Sequence, residues 1–318
     1  MAFEEIKARL ALQVESERWA ELGAMIERPV HRDAVSAWDY PILACQAVGG
    51  KPESALPAAA AVFAAMISIH LVDDMLDEDP AGDYHRLGAG VVANLALAFQ
   101  ALGHQTLVDP DVPPEVQQAT QAIYSAMMMA TSKGQHLDKQ GARSEADYWH
   151  IAEAKTPPLF GAALRMGACL GGGSATVAAE LEELGRRLGL LVQVSDDLSD
   201  ALATPARPDW NRPANCLPIL YGLTADHADR GQLERLCGLV GDPSSLGEAQ
   251  KILLRSGAVS YCIFKLVELS DEIRGRLARI RLVDPRPMER LLEVNTRPLR
   301  RTLASLGVEP VPEASHCS

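Results

Sequence analysis

Apolar residues recur at helical spacing along almost the whole chain. Ile6, Leu10, Val14, Leu22 and the pair Met25-Ile26 form a first amphipathic stripe. A short apolar segment at 42–48 stops at Gly49-Gly50, a helix-end signal. A third helix is predicted from just after Pro57 to about Glu78, where Asp79-Pro80-Ala81-Gly82 breaks it. Its apolar run, 58–72, is interrupted by Ser68 and His70 and is followed at once by acids. It therefore reads as a buried core helix and not as a membrane span. Residues 87–107 predict a fourth helix and 115–137 a fifth, with Pro110, Pro113 and Pro114 between them.

Ser144-Glu145-Ala146-Asp147 resembles a capping box and opens a sixth helix. Pro157-Pro158 should kink or interrupt that helix, and Gly171-Gly172-Gly173 should end it. Residues 176–202 predict a seventh helix, followed by a loop containing Pro205, Pro208 and Pro213. Three or four further helices are expected within 217–306, then a flexible tail over 310–318. Alternating β-branched runs, repeats and linkers are absent. The expectation is an all-α single domain over 1–309, a bundle of about ten to twelve helices.

Composition narrows the function. The 318 residues hold 30 basic and 42 acidic side chains, a net charge of -12. Phosphate contacts need clustered Lys and Arg, so a nucleic-acid or anionic-membrane binder is disfavoured and a site that concentrates cations is favoured. Cys45, Cys169, Cys216, Cys237, Cys262 and Cys317 are scattered with no CxxC, which fits a reducing compartment, the cytoplasm, better than a disulfide framework. No basic-then-apolar leader opens the sequence, and neither that nor the interrupted run suggests stable membrane insertion.

Two carboxylate clusters carry the chemistry. Asp73 and Asp77 lie one turn apart at the end of the third helix, with Asp74 flanking them. Gln193, Asp196, Asp197 and Asp200 form a stripe at i, i+3, i+4 and i+7 on a helix otherwise built of Leu and Val. An acidic helix face is ordinarily solvated surface, but such a face usually mixes in Lys or Arg, and neither cluster does. Carboxylates facing each other from two helices make a hard-oxygen site suited to Mg²⁺ and, through it, to a diphosphate.

Asp73-Asp74-x-x-Asp77 after an Ala-rich helix resembles the first aspartate-rich motif of the trans-isoprenyl diphosphate synthases, the polyprenyl synthetase family. Gln193-Val194-Ser195-Asp196-Asp197-x-x-Asp200 resembles the second. Between them, Gly134-Gln135-His136-Leu137-Asp138 and Lys155-Thr156-Pro157-Pro158-Leu159-Phe160 are similar to family segments in the same order. So, upstream, are Ala47-Val48-Gly49-Gly50 and Ala58-Ala59-Ala60. The resemblance covers about 40–225. It implies an all-α isoprenoid-synthase fold, usually a homodimer, with a prenyl cavity and three Mg²⁺ at its mouth. It also implies ionisation of an allylic prenyl diphosphate of C10–C20 length. Asp73, Asp74, Asp77, Asp196, Asp197 and Asp200 would be metal-binding. Lys155 and Arg86 would hold diphosphate, and Gln193, Thr156, Gln135 and Phe160 would lie along the substrate.

The second substrate site of the elongating enzymes, for isopentenyl diphosphate, is a basic pocket that this sequence matches poorly. Met66 stands where the family has His, and His85 and Arg86 replace an Arg pair. The loop after the second motif carries Arg207, Asp209, Trp210, Arg212 and Asn215 in place of its usual lysine. The expectation is therefore an enzyme that ionises an allylic diphosphate and diverts the cation, as terpene synthases do. The alternatives are ordinary elongation, with His31, Arg32 and Arg86 forming the pocket, and a catalytically silent partner subunit. Few aromatics are available to cage a migrating cation (Phe63, Phe99, Phe160, Trp210, Tyr221), which weighs against a cyclase. Ser68, five residues before Asp73, is expected to face the prenyl cavity and leave room for a C15 or C20 chain, or else to bond back to the carbonyl four residues earlier.

Overall fold

The computed structural model describes residues 2–17, 19–28 and 35–305; His31, Arg32 and the tail over 310–318 lie outside them. Among the described residues there is no strand. Helices α1 (Ala2–Glu17) and α2 (Ala20–Ile26) precede a 3-10 turn and α3 (Tyr40–Ala47). The long central helices follow: α4 (Leu56–Asp77), the one-turn α5 (Tyr84–Leu87), α6 (Ala89–Thr106), α7 (Pro114–Gln140), α8 (Glu145–Lys155), α9 (Pro157–Leu170) and α10 (Ala175–Leu202). Two 3-10 turns lead into α11 (Leu217–Thr224), α12 (Arg230–Cys237), α13 (Pro243–Arg255), α14 (Ala258–Leu277) and α15 (Arg286–Ser305).

Helix α4 is the axis of the core. Ala58, Ala59, Ala60, Ala61, Ala64 and Ala65 have no exposed surface, so α1, α3, α6 and α9 pack close against it. By length and composition it is apolar enough to cross a membrane, yet two-thirds of its most apolar window is buried within the protein (67%), as in a core helix. It stops at Glu78, whose φ of 56° is the left-handed conformation that ends many helices. The most extensive packing joins α9 to α10. Gly185 permits it: a Cβ there would stand 2.4 Å from the carbonyl oxygen of Phe160. A smaller apolar cluster around Trp210, Ile219, Leu233 and Leu253 anchors the loop after α10.

Pro157-Pro158 interrupts the sixth helix, one of the two outcomes expected, dividing it into α8 and α9 with Thr156 as the end of the first and the start of the second. The fourth helix stands near its expected span as α6, and Gly88 (φ +87°) separates it from α5, a one-turn helix that the pattern did not indicate. The C-terminal third holds five helices because His227-Ala228-Asp229, Gly241-Asp242-Pro243 and Ser256-Gly257 each interrupt the pattern. Ser144 does cap α8, accepting a hydrogen bond from the Asp147 amide at 3.2 Å.

Candidate active site

Three acids at a helix C-terminus are doubly unfavourable, since the helix dipole is already negative there. The fold answers with cations from three other elements. Lys155, the last residue of α8, places Nζ 3.4 Å from Asp73 Oδ1 and 3.3 Å from Asp138 Oδ2. Arg212, in the loop after α10, pairs with Asp77, approaches Asp138 at 3.5 Å and donates to the Leu76 carbonyl at 2.9 Å. Lys139 donates to the same carbonyl at 2.6 Å. Asn215 donates to the Asp138 backbone carbonyl at 2.7 Å and so ties that loop to α7.

The second cluster is reached through Thr156, next to Lys155. Thr156 Oγ1 donates to Gln193 Oε1 at 2.5 Å, and Gln193 Nε2 donates to Asp197 Oδ1 at 2.9 Å. Asp197 Oδ2 accepts from the Tyr148 hydroxyl at 2.7 Å and from the Leu217 amide at 2.9 Å. Asp196, by contrast, is exposed, and Asp200 lies 3.6 Å from Arg207. Asp77, Asp138, Lys155, Gln193, Asp197 and Arg212 line one polar cavity of about 50 Å³, where the two clusters meet.

The electrostatics follow from burial and crowding. Burial alone would lower the Lys155 ammonium, but Asp73, Asp138 and Asp77 outweigh it and hold it above its ordinary range. Burial, then the carboxylates of Asp79, Asp73, Asp83 and Asp77, pushes Asp74 up to about 6. Burial also raises Asp197 to about 6, against its three donors.

Other expected site residues are placed differently. Ser68 is fully buried and donates to the Ala96 carbonyl of α6 at 2.9 Å, a partner on another helix in place of the carbonyl four residues earlier on its own. Arg86 pairs with Asp83 at 2.9 Å, and Asp83 also holds Arg28. Gln135 is buried with its Oε1 unpartnered. Phe160 packs edge-on against Tyr40 at 4.9 Å. Phe63, Phe99 and Trp210 are core side chains, and Tyr221 stacks on Tyr261. Met66 is half-buried. Asp138, Arg212 and Asn215, named in the sequence only as parts of matching or divergent segments, and Tyr148, not named there, belong to the site. Asp138 and Gln135 share an i, i+3 polar stripe on α7, which was a usable signal.

Mg²⁺ takes a few carboxylate oxygens and completes its octahedron with water or phosphate oxygen. Asp73 Oδ1 is buried and accepts no hydrogen bond, and Asp74 sits among like charges, so the first cluster has oxygen donors to spare. That donor set fits the ion. Asp197 fits poorly as a direct ligand because protein donors engage both its oxygens. Among the described residues no three acids or imidazoles stand at ligand spacing, the first cluster being spread around Lys155 and Arg212.

The model of one protein family, polyprenyl synthetase, matches residues 41–254, two-thirds of the chain and all of the site just described. The chain belongs to the polyprenyl synthetase family. This synthetase-family chain is 30% identical over 239 residues to a short chain isoprenyl diphosphate synthase of Methanothermobacter thermautotrophicus, covering 69% of this chain and 72% of that one. It is 32% identical over 174 residues to a geranylgeranyl diphosphate synthase of Methanosarcina mazei, 51% of this chain and 53% of that relative. Among solved structures it resembles a polyprenyl synthetase of Streptomyces coelicolor A3(2) (TM-score 0.76, 19% identity, 93% and 96% coverage). A geranylgeranyl pyrophosphate synthase superposes with TM-score 0.80 at 15% identity, covering 94% and 96%. At such identities the structures show the fold, the all-α isoprenoid-synthase bundle, while the sequence matches carry the family.

Proposed function

We propose that this polyprenyl synthetase family member is a chain-elongating trans-prenyl diphosphate synthase. It joins an allylic prenyl diphosphate of C10–C20 length to isopentenyl diphosphate. The observation that carries the reading is the convergence of both aspartate clusters on one cavity through Lys155, Thr156 and Gln193. Asp73, Asp74, Asp77, Asp196 and Asp200 would hold Mg²⁺, which supplies positive charge to the departing diphosphate. Lys155 and Arg212 orient the diphosphate and balance its charge as the C–O bond breaks. Asp197 acts as a positioning residue, fixing Gln193, Tyr148 and the start of α11 around the cavity.

The departures at Met66 and Arg86 had suggested diversion of the cation. The named relatives are diphosphate synthases and favour elongation instead. Incubation with Mg²⁺ and C10, C15 or C20 allylic diphosphate, with and without isopentenyl diphosphate, separates the two. Longer diphosphates formed only with both substrates support elongation. Hydrocarbons or alcohols released equally from the allylic substrate alone would overturn it.

A homodimer is part of the proposal. Helix α6 carries no Asp, Glu, Lys or Arg, yet exposes Val91 and Leu97, and the adjoining face of α7 exposes Met129 (74%). An uncharged apolar face of two helices is typical of a covered interface. Light scattering should give a dimer mass, and Leu97→Glu a monomer; a monomeric wild type would sink this part.

A further inference from the structure

The chain as a whole is acidic, but its charge is unevenly distributed. Residues 274–301 carry nine arginines and no lysine against three acids. They form the last turn of α14, the loop to α15 and the outer face of α15. The inner face of that helix is apolar: Met288, Leu291, Leu292 and Leu299 are buried. Arg286, Arg290, Arg297 and Arg301 fall at helical spacing on the opposite face.

Three neighbouring arginines are internally committed: Arg286 is paired in fork geometry with Asp284, Arg274 with Asp271, and Arg276 with Glu272 and Glu183. The exposed side chains of Arg279, Arg281 and Arg290 make no ion pair among the described residues. Between them, at the tip of the loop, Val283 is 75% exposed. The loop is held rigidly, its Val283 and Asp284 amides both donating to the Ala47 carbonyl at 3.0 Å.

We propose that this edge is a peripheral docking surface for an anionic lipid bilayer. Arg279, Arg281 and Arg290 would meet lipid phosphates and Val283 would enter the boundary below the headgroups. The apolar face of α15 is spent on the core, so the attraction rests on its outward arginines and those of the loop, a basic cluster beside an exposed apolar tip that suits peripheral contact with anionic lipid. A nucleic-acid reading is weaker, since the segment has no aromatic side chain to stack on bases. The inference stands on the surface alone, whether or not the chain elongates prenyl diphosphates.

Co-sedimentation of the full chain with vesicles tests it. Phosphatidylglycerol-containing vesicles should retain the protein at low salt and release it at high salt, and neutral phosphatidylcholine vesicles should not retain it. Each unpaired arginine near an anionic surface contributes roughly fivefold, so the triple variant Arg279→Gln/Arg281→Gln/Arg290→Gln should bind about 100-fold more weakly. Val283→Ser should weaken binding severalfold. Both variants should keep their helical circular dichroism and soluble turnover, since none of these residues touches the cavity. Undiminished vesicle binding by the triple variant, equal binding to neutral vesicles, or tighter binding to duplex DNA than to anionic vesicles would each overturn the proposal.

Discussion

Lys155 is set in place by the absence of a side chain on another helix. Gly134 lies where α7 crosses the end of α8, and a Cβ there would stand 2.3 Å from the Ala154 carbonyl oxygen and 2.7 Å from Lys155 Cα. Both atoms are backbone, so neither can swing aside. Restoring van der Waals contact in Gly134→Ala requires the end of α8 to retreat by roughly 1 Å. Lys155 reaches Asp73 at 3.4 Å and Asp138 at 3.3 Å, so such a retreat takes it past ion-pair range of both. Two opposing stability effects accompany this. Alanine gains about 1 kcal/mol of helix propensity over glycine, while overpacking costs about 1–3 kcal/mol. The fold should therefore survive with a modestly lowered melting temperature. Turnover should suffer more, because a misplacement of about 1 Å in a positioned group costs on the order of 10²-fold. The assay is diphosphate release from an allylic substrate with isopentenyl diphosphate and saturating Mg²⁺, run well below the melting transition. Turnover within threefold of wild type would refute the claim that Gly134 sets the lysine.

The first aspartate cluster makes a double prediction: Asp74→Asn should lower turnover by about 10²–10³-fold, and chelation of divalent cations should abolish wild-type turnover until Mg²⁺ is restored. The folded pKa of Asp74 is raised to about 6, so its ionisation costs stability as pH rises through that value. Metal-free Asp74→Asn should therefore melt no lower than wild type at pH 7.5, a result checked by thermal circular dichroism. Asp197→Asn should behave in the opposite way, because an amide NH₂ would face buried donors; a loss of about 1–3 kcal/mol should appear as a melting temperature lower by several degrees. Ser68→Phe should destabilise the protein and reduce C10 and C20 turnover alike, since Ser68 is packed against α6; a selective loss with C20 in parallel assays would place it on the prenyl path after all.

Much of this architecture was legible in the sequence where breakers and periodicity agree. The end of α4 at Asp79-Pro80, the glycines after α9 and both aspartate motifs stand where the pattern placed them. What periodicity cannot supply is which side chain meets which across the fold. Arg212 lies within a proline-rich loop with no register, so nothing local brings it to Asp77. Asp197 and Asp196 are adjacent in an acidic stripe, yet one is buried under three donors and the other faces solvent. A one-residue rotation on a helix decides that, and only the packing of α8 and α11 fixes its sense. Ser68 shows the same limit: its spacing before Asp73 says nothing of the α6 carbonyl to which its hydroxyl is bonded.

The alanine face of α4 also limits how such a protein can diversify. Ala58–Ala61, Ala64 and Ala65 are fully buried, with one methyl group each between α4 and its neighbours. At those alanines only a methyl group remains to be trimmed, and any enlargement must push a neighbouring helix. Variation in interior volume is thereby confined to the lower turns, where half-buried Met66, Ile67 and Ile69 have atoms to lose or gain, and to the opposing walls. Homologues that accept longer or shorter substrates should differ at those positions and leave the alanines alone.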